Sequence, residues 1–236
     1  MILSINQPAY LPWLGYFHRI AVSDVHVILD NVQFEKNSFT NRNKIRRKDG
    51  WTWLTIPVKT KGKFGELPIC ELEIANETPW AKKHWDGIRF SYAKTPFFKE
   101  YESFLSDVYS RSWSHLKDIM ETMNARFLKM LGIQTKILKA SDLKPEGKKD
   151  DLILNLCVSL GAKVYISGPL GRNYLHEEKF MERGIRIVYH DYRHPVYPTL
   201  HQVFEPNMAV IDLLFNVGSE SFHILSANQE RIAEQL

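Results

Sequence analysis

The sequence predicts an α/β fold: a mostly parallel sheet with helices on both faces and a helical insertion. Two observations carry this reading. At both ends of the chain, short apolar or β-branched runs alternate with segments of helical period, the pattern of βαβ units. Between them, at about 78–132, the pattern is mainly helical.

Residues 2–5 are a short apolar run, 12–21 carry Leu14, Phe17, Ile20 and Ala21 at helical spacing, and 25–29 are again β-branched. This reads as strand, helix, strand, with the strands parallel. A long polar stretch through Gly50 reads as a loop. The run WTWLTIPV (51–58) makes a third strand, which Pro57 ends or pushes to an edge, and GELPICELEI (65–74) a small accessory strand. Helices are predicted at 80–92, 97–109 and 114–131, with Thr78–Pro79 supplying an N-cap and a first-turn proline and Gly132 a C-cap. The remainder alternates: strand 135–143, helix 149–160, strand 162–168, helix 174–183, strand 185–191, then a buried helix at VIDLLFN (210–216). Such alternation gives a Rossmann-like sheet covered on both faces. The chain is read as one domain, 1–236.

Composition excludes several classes. With 236 residues, 25% charged and 44% apolar, the chain sustains a core and is not disordered. Cys70 and Cys157 are distant and in no ligand spacing, so neither a disulfide framework nor a metal site is predicted, and the expected setting is a reducing cytoplasm. No leader pattern and no apolar run of about 18 residues is found, so membrane insertion is not expected. The formal charge of +4 permits a polyanionic partner without demanding one, and its cations concentrate at 41–48 and 59–63.

The carboxyl ends of parallel strands share one rim, where ligands bind. The predicted strands deliver there Asn6–Gln7, Asp30–Asn31, Thr55, Ser141–Asp142, Ser167–Gly168 and His190–Asp191. Ser141–Asp142 and Asp191 read as helix caps. Gln7 and Asp30 precede no cap position and are site candidates; Gln7 offers a donor and an acceptor on an exit stiffened by Pro8. The block after Asp30 adds Gln33, Lys36, Arg42, Asn43 and Lys44, suited to clamping a phosphate or carboxylate, with Arg42 as the planar fork. His84 and Tyr92 lie two turns apart on one helix, and His84 is the candidate general base. Asp30 and His84 are thus the expected catalytic pair, whose replacement by Ala should abolish turnover with little loss of stability. In YISGPLGRNYL, Ser167, Gly168, Arg172 and Tyr174 surround a turn that can cradle an oxyanion, although the GxGxxG and GxxxxGK[ST] spacings are absent. Trp13, Tyr16 and Phe17 read as packing. His18, Asp212 and Asn216 read as structural supports.

The blocks QPAYLPWLGYFHRI, VILDNVQFEKNSFTNRNKI, WLTIPV, YISGPLGRNYL and IDLLFN together resemble the WbqC-like family over essentially the whole chain. Members of that family often occur among bacterial surface-polysaccharide (O-antigen) genes. The resemblance implies a transferase that places an acyl or aminoacyl group on a sugar nucleotide or amino sugar, and it supplies no list of catalytic residues. One departure is Thr199, where a Gln is expected after the His-Pro-x-Tyr run. No resident cofactor is predicted; the donor is nucleotide-linked or aminoacyl, with aminoacyl-tRNA as one partner. A second reading is a nucleotidyltransferase or adenylate-forming enzyme, since the first βαβ unit has Gly15 and Asp30 in a similar layout; PWLGY stands where that superfamily has His-x-Gly-His. A third is an RNA-binding module using Arg42, Lys44, Arg46, Arg47 and Lys48, with Trp51 or Trp53 for stacking.

Overall fold

The computed structural model describes residues 1–62, 65, 67–200 and 203–236. Lys63 of the basic stretch, Glu66 of the expected accessory strand, and His201 and Gln202 lie outside the described residues.

The first unit forms as β1 (Ile2–Asn6), α1 (Leu14–Ala21) and β2 (Val25–Ile28). A hairpin follows, β3 (Arg42–Arg47) and β4 (Gly50–Thr55). Three helices come next: α2 (Trp80–Tyr92), α3 (Phe98–Ser110) and α4 (Leu116–Met130). The second α/β section comprises β5 (Lys136–Lys139), the short α5 (Ala140–Leu143), α6 (Lys149–Ser159), β6 (Val164–Ser167), α7 (Glu177–Met181) and β7 (Arg186–Tyr189). α8 (Val210–Val217), α9 (Ser221–Ser226) and α10 (Glu230–Ala233) complete the chain. No helix among the described residues is long and apolar enough to cross a membrane.

Five strands form a parallel sheet in the order β5-β2-β1-β6-β7. Because side chains alternate across a strand, Leu3, Ile5, Val25 and Val27 share one face, packing with Ile153, Leu156 and Phe180 of the helices beyond. Burial of each such side chain stabilises the fold by about 1.5–3 kcal/mol. The opposite face is polar at its centre. There Ser4 and His26 Nδ1 hydrogen-bond at 2.7 Å, and Ser23 donates to Ser4 at 2.8 Å, beneath α1; His26 Nε2 has no partner among the described residues. α1 then meets the helical section, Phe17 edge-on to Phe127 with centroids 6.1 Å apart.

Several expectations need correction. The strand at 51–58 does not join the parallel sheet. It is β4, paired antiparallel with β3 in the register Lys44↔Trp53, so Thr55 is not on the common rim. β3 lies in the stretch read as a loop because its sequence is so polar; Asn43 and Ile45 are buried while Arg42 and Lys44 reach outward. Of the expected accessory strand, residues 67–74 make a 3-10 turn at Ile69–Glu71 between isolated bridges, not a strand. Pro79 occupies the N-cap position of α2 rather than its first turn. The helix read at 174–183 shortens to α7, and a 3-10 turn, Pro169–Asn173, stands ahead of it. Gly132 closes α4 as expected: at φ +68° its N–H reaches the Lys129 carbonyl, and Ile133 N–H reaches that of Leu128.

Candidate functional site

Numbered in chain order, the sheet strands run 3-2-1-4-5, and the order reverses between β1 and β6. Connections leave those two strands in opposite directions, which opens a crevice at their carboxyl ends. A cleft of about 630 Å³ lies there. The β1 exit supplies Asn6 to Ala9, the β6 exit supplies Gly168 to Gly171 with Asn173 and Tyr174, α1 and its N-cap supply Tyr16, Arg19 and Trp13, and Glu35, Ser38, Phe39 and Thr40 close another side.

The aromatic N-terminal exit has a mechanical role. Tyr10 N–H is shared between the Phe39 and Thr40 carbonyls at 3.2 and 3.1 Å, which straps the β1 exit to the 35–40 wall. Leu11 takes a left-handed conformation (φ +47°), and its carbonyl accepts from the buried Asn43 amide. Gly15 is required next: a Cβ there would stand 2.4 Å from the Trp13 ring, which folds over it into the cleft.

Arg19 sets the electrostatics. It is 6% exposed and lines the cleft, yet no carboxylate among the described residues pairs with it. Its one side-chain hydrogen bond to a described residue runs to Asn6 Oδ1 at 3.4 Å, at the weak end of the range, and its Nε has no partner. Burial lowers its pKa, and the neighbouring Tyr165, Tyr16 and Tyr174 partly restore it; a guanidinium remains charged regardless. Gly168 makes room for this group, since a Cβ there would meet Nη1 at 3.0 Å. Behind it, His18 Nδ1 and His190 Nε2 lie 2.8 Å apart. Burial holds His18 at about 4, and burial together with Arg19 holds His190 lower still, so both rings are neutral near pH 7. A buried cation ringed by neutral groups attracts an anion.

Asn6 lines the cleft, as do Trp13 and Tyr16, which the sequence reads as packing; of the binding and catalytic candidates, the cleft gathers Gln7, Gly168 and Tyr174, with Ser167 buried just beneath, its hydroxyl donating to the Gly168 carbonyl at 3.2 Å. The others lie elsewhere. Asp30 is buried at the end of β2, where its two oxygens accept from Ser141 N–H (2.8 Å) and Ser141 Oγ (2.7 Å), capping α5 from a distant strand. Gln33 pins its own loop, accepting from Leu67 N–H at 2.8 Å. Lys36 is exposed and does not line the cleft. Arg42 and Lys44 lie over Trp53 and Trp51 on the hairpin. Arg172 forms a two-pronged ion pair with Asp191, at 2.9 and 2.7 Å, and stacks on Tyr189.

His84 sits in the helical core. Its Nε2 faces the Thr55 carbonyl at 3.2 Å and must carry the proton; its Nδ1 therefore accepts from Tyr10 Oη at 2.9 Å, and Tyr109 donates to Tyr10 in turn. The lone pair a base needs is thus occupied, and burial lowers the ring to about 4. Tyr92 is equally buried, its hydroxyl accepting from Arg46 N–H at 2.9 Å. Asp212 accepts from Tyr197 at 2.8 Å, and Asn216 donates to the Asp212 carbonyl at 2.7 Å. Burial raises the Asp212 carboxyl, against the opposing pull of Tyr197, Tyr92 and Arg46.

Sequence reasoning did not single out the two charged residues among the described cleft lining. Arg19 left one signal: it is the one Lys, Arg, Asp or Glu in the first 23 residues, within a helix otherwise apolar or aromatic. Glu35, the one carboxylate among the described lining residues, left none apart from the polarity of its loop.

A parallel sheet whose strand order reverses above a cleft defines a Rossmann-type α/β protein. The chain belongs to the WbqC-like protein family, whose model matches residues 7–224. It is 37% identical over 224 residues to the uncharacterized protein Rv1507c of Mycobacterium tuberculosis (strain ATCC 25618 / H37Rv), covering 93% of this chain and 95% of that one. No solved structure matches the chain.

Proposed function

We propose that the protein is a transferase of surface-polysaccharide biosynthesis that binds a sugar nucleotide or nucleotide-linked amino sugar in the switch-point cleft and places an acyl or aminoacyl group on it. The observation that carries this reading is Arg19, a buried guanidinium with no carboxylate partner, aimed into a 630 Å³ cleft at the carboxyl ends of β1 and β6. The nucleotide diphosphate lies on Arg19 beside the Gly168 turn. Trp13 and Tyr174 offer ring surface to the base or sugar, and the free amide of Gln7 binds sugar hydroxyls. Glu35 accepts a proton from the acceptor amine as its nitrogen bonds to the donor's acyl carbon, and the donor's leaving oxygen departs with the electron pair. Support also comes from membership of the WbqC-like family.

The test is native mass spectrometry against a panel of uridine, guanosine and thymidine diphosphate sugars, with ATP alongside. Retention of a sugar nucleotide by the wild-type chain and its loss in Arg19→Gln is the expected result. Retention of ATP alone would favour a nucleotidyltransferase, and retention of nothing would overturn the cleft assignment.

A further inference from the structure

A second surface begins where the cleft ends. On the outer face of the β3–β4 hairpin, Phe39, Trp53 and Trp51 form a chain of rings, with centroid separations of 5.8 and 5.7 Å. Cations sit on this chain: Arg42 lies 4.3 Å from the Trp53 centroid, and Lys44 lies 4.2 Å from Trp51 and 5.4 Å from Trp53. Among the described residues neither cation has a carboxylate partner. Phe39 and Trp51 are exposed, although large aromatics ordinarily bury their surface. Between positions 32 and 62 the cationic residues number eight and the acidic ones two, so the hairpin is the basic pole of the chain. Beyond Trp51 the row is not extended, because the Arg46 side chain turns inward to the Gly50 and Val203 carbonyls. The near end is open: Phe39 belongs both to this row and to the cleft wall.

We infer that this row is a track for single-stranded RNA, whose bases stack on Phe39, Trp53 and Trp51, whose phosphates lie against Arg42 and Lys44, and whose chain end enters the cleft past Phe39. Rings interleaved with cations that no carboxylate neutralises are the combination by which proteins hold unpaired strands; Arg42 is steadied in place by a hydrogen bond to the Asn37 carbonyl. RNA fits better than DNA because its 3′ end carries a cis-diol, which suits the amide side chains of Gln7 and Asn173 at the cleft. The track extends the cleft reading by a macromolecular donor or acceptor, and it stands on separate residues.

The experiment is fluorescence anisotropy with a labelled oligouridylate of about twelve nucleotides. Binding should weaken with salt, with a log–log slope of about −0.7 for each phosphate neutralised. Lys44→Gln should reduce that slope by about 0.7. Trp51→Ala, which removes an exposed ring, should weaken binding about tenfold and leave the slope unchanged. Absence of salt-dependent binding, insensitivity to both variants, or equal affinity for the matching DNA strand would overturn the proposal. A protein that ignores RNA but binds a sugar nucleotide through Arg19 would refute the track and spare the cleft; RNA binding without any sugar-nucleotide binding would do the reverse.

Discussion

Arg19→Met separates a ligand-binding cation from a structural one, because the two roles predict opposite signs. The wild-type guanidinium is 6% exposed, has no carboxylate partner among the described residues, and makes one long hydrogen bond, 3.4 Å, to Asn6. Burying an ion costs several kcal/mol, and replacing poorly compensated buried ions with apolar groups of similar size commonly gains about 1–4 kcal/mol. In a chain of this length 1 kcal/mol moves Tm by about 2–4 °C. The methionine variant should therefore melt at least about 2 °C higher than the wild type in the absence of ligand. It should also bind uridine diphosphate more weakly by about 2–5 kcal/mol, the usual cost of removing one partner of a buried charge pair. Scanning calorimetry reads the first quantity and titration calorimetry the second. A variant destabilised by more than about 2 kcal/mol would show that Arg19 is satisfied within the fold, and the account of the cleft would fail with it.

Other expectations concern groups with structural work. Asp30→Ala removes the cap of α5, both of its hydrogen bonds to Ser141 being lost, and should cost about 1–3 kcal/mol in urea unfolding with ligand binding intact. Tyr10→Phe leaves His84 Nδ1 unpaired in the core and should cost about 1–3 kcal/mol, measured the same way. Acid should destabilise the protein through its buried neutral histidines, His26 and His190 as well as His18 and His84. His18 and His84 titrate at about 4 in the fold against about 6.5 unfolded, so between those values the unfolded chain binds more protons. Their stabilising contribution is complete above about pH 6.5 and is lost as pH falls toward 4, at up to about 1.4 kcal/mol per pH unit for each ring. Urea midpoints at pH 7 and pH 5 measure this, and equal midpoints would contradict it.

The parallel sheet and the three helices of the central section were legible because their apolar residues recur at strand and helix periods. The hairpin was not. Arg42, Lys44 and Arg47 mask a strand whose inward residues include an asparagine, and only Ile45 betrays its period. Gln7 and the β6 turn were legible as rim residues, since a strand's carboxyl end can be located from its apolar run. Asp30 looked free because its partner, Ser141, lies 111 residues away. His84 looked like a base because its ring is fixed by groups on other elements, Tyr10 and Thr55, that local sequence cannot bring near it. Arg19 was hidden for the converse reason. A lone arginine on a helix ordinarily faces water, and only the packing of the Gly168 turn against α1 buries it.

The proposed seat of the substrate phosphate is Arg19, between the β1 and β6 exits. A crystal structure with uridine diphosphate bound tests it most directly: the phosphates should lie within hydrogen-bond distance of the Arg19 guanidinium and against the turn at Gly168. A nucleotide ordered elsewhere, with the switch-point cleft left to solvent, would contradict the account.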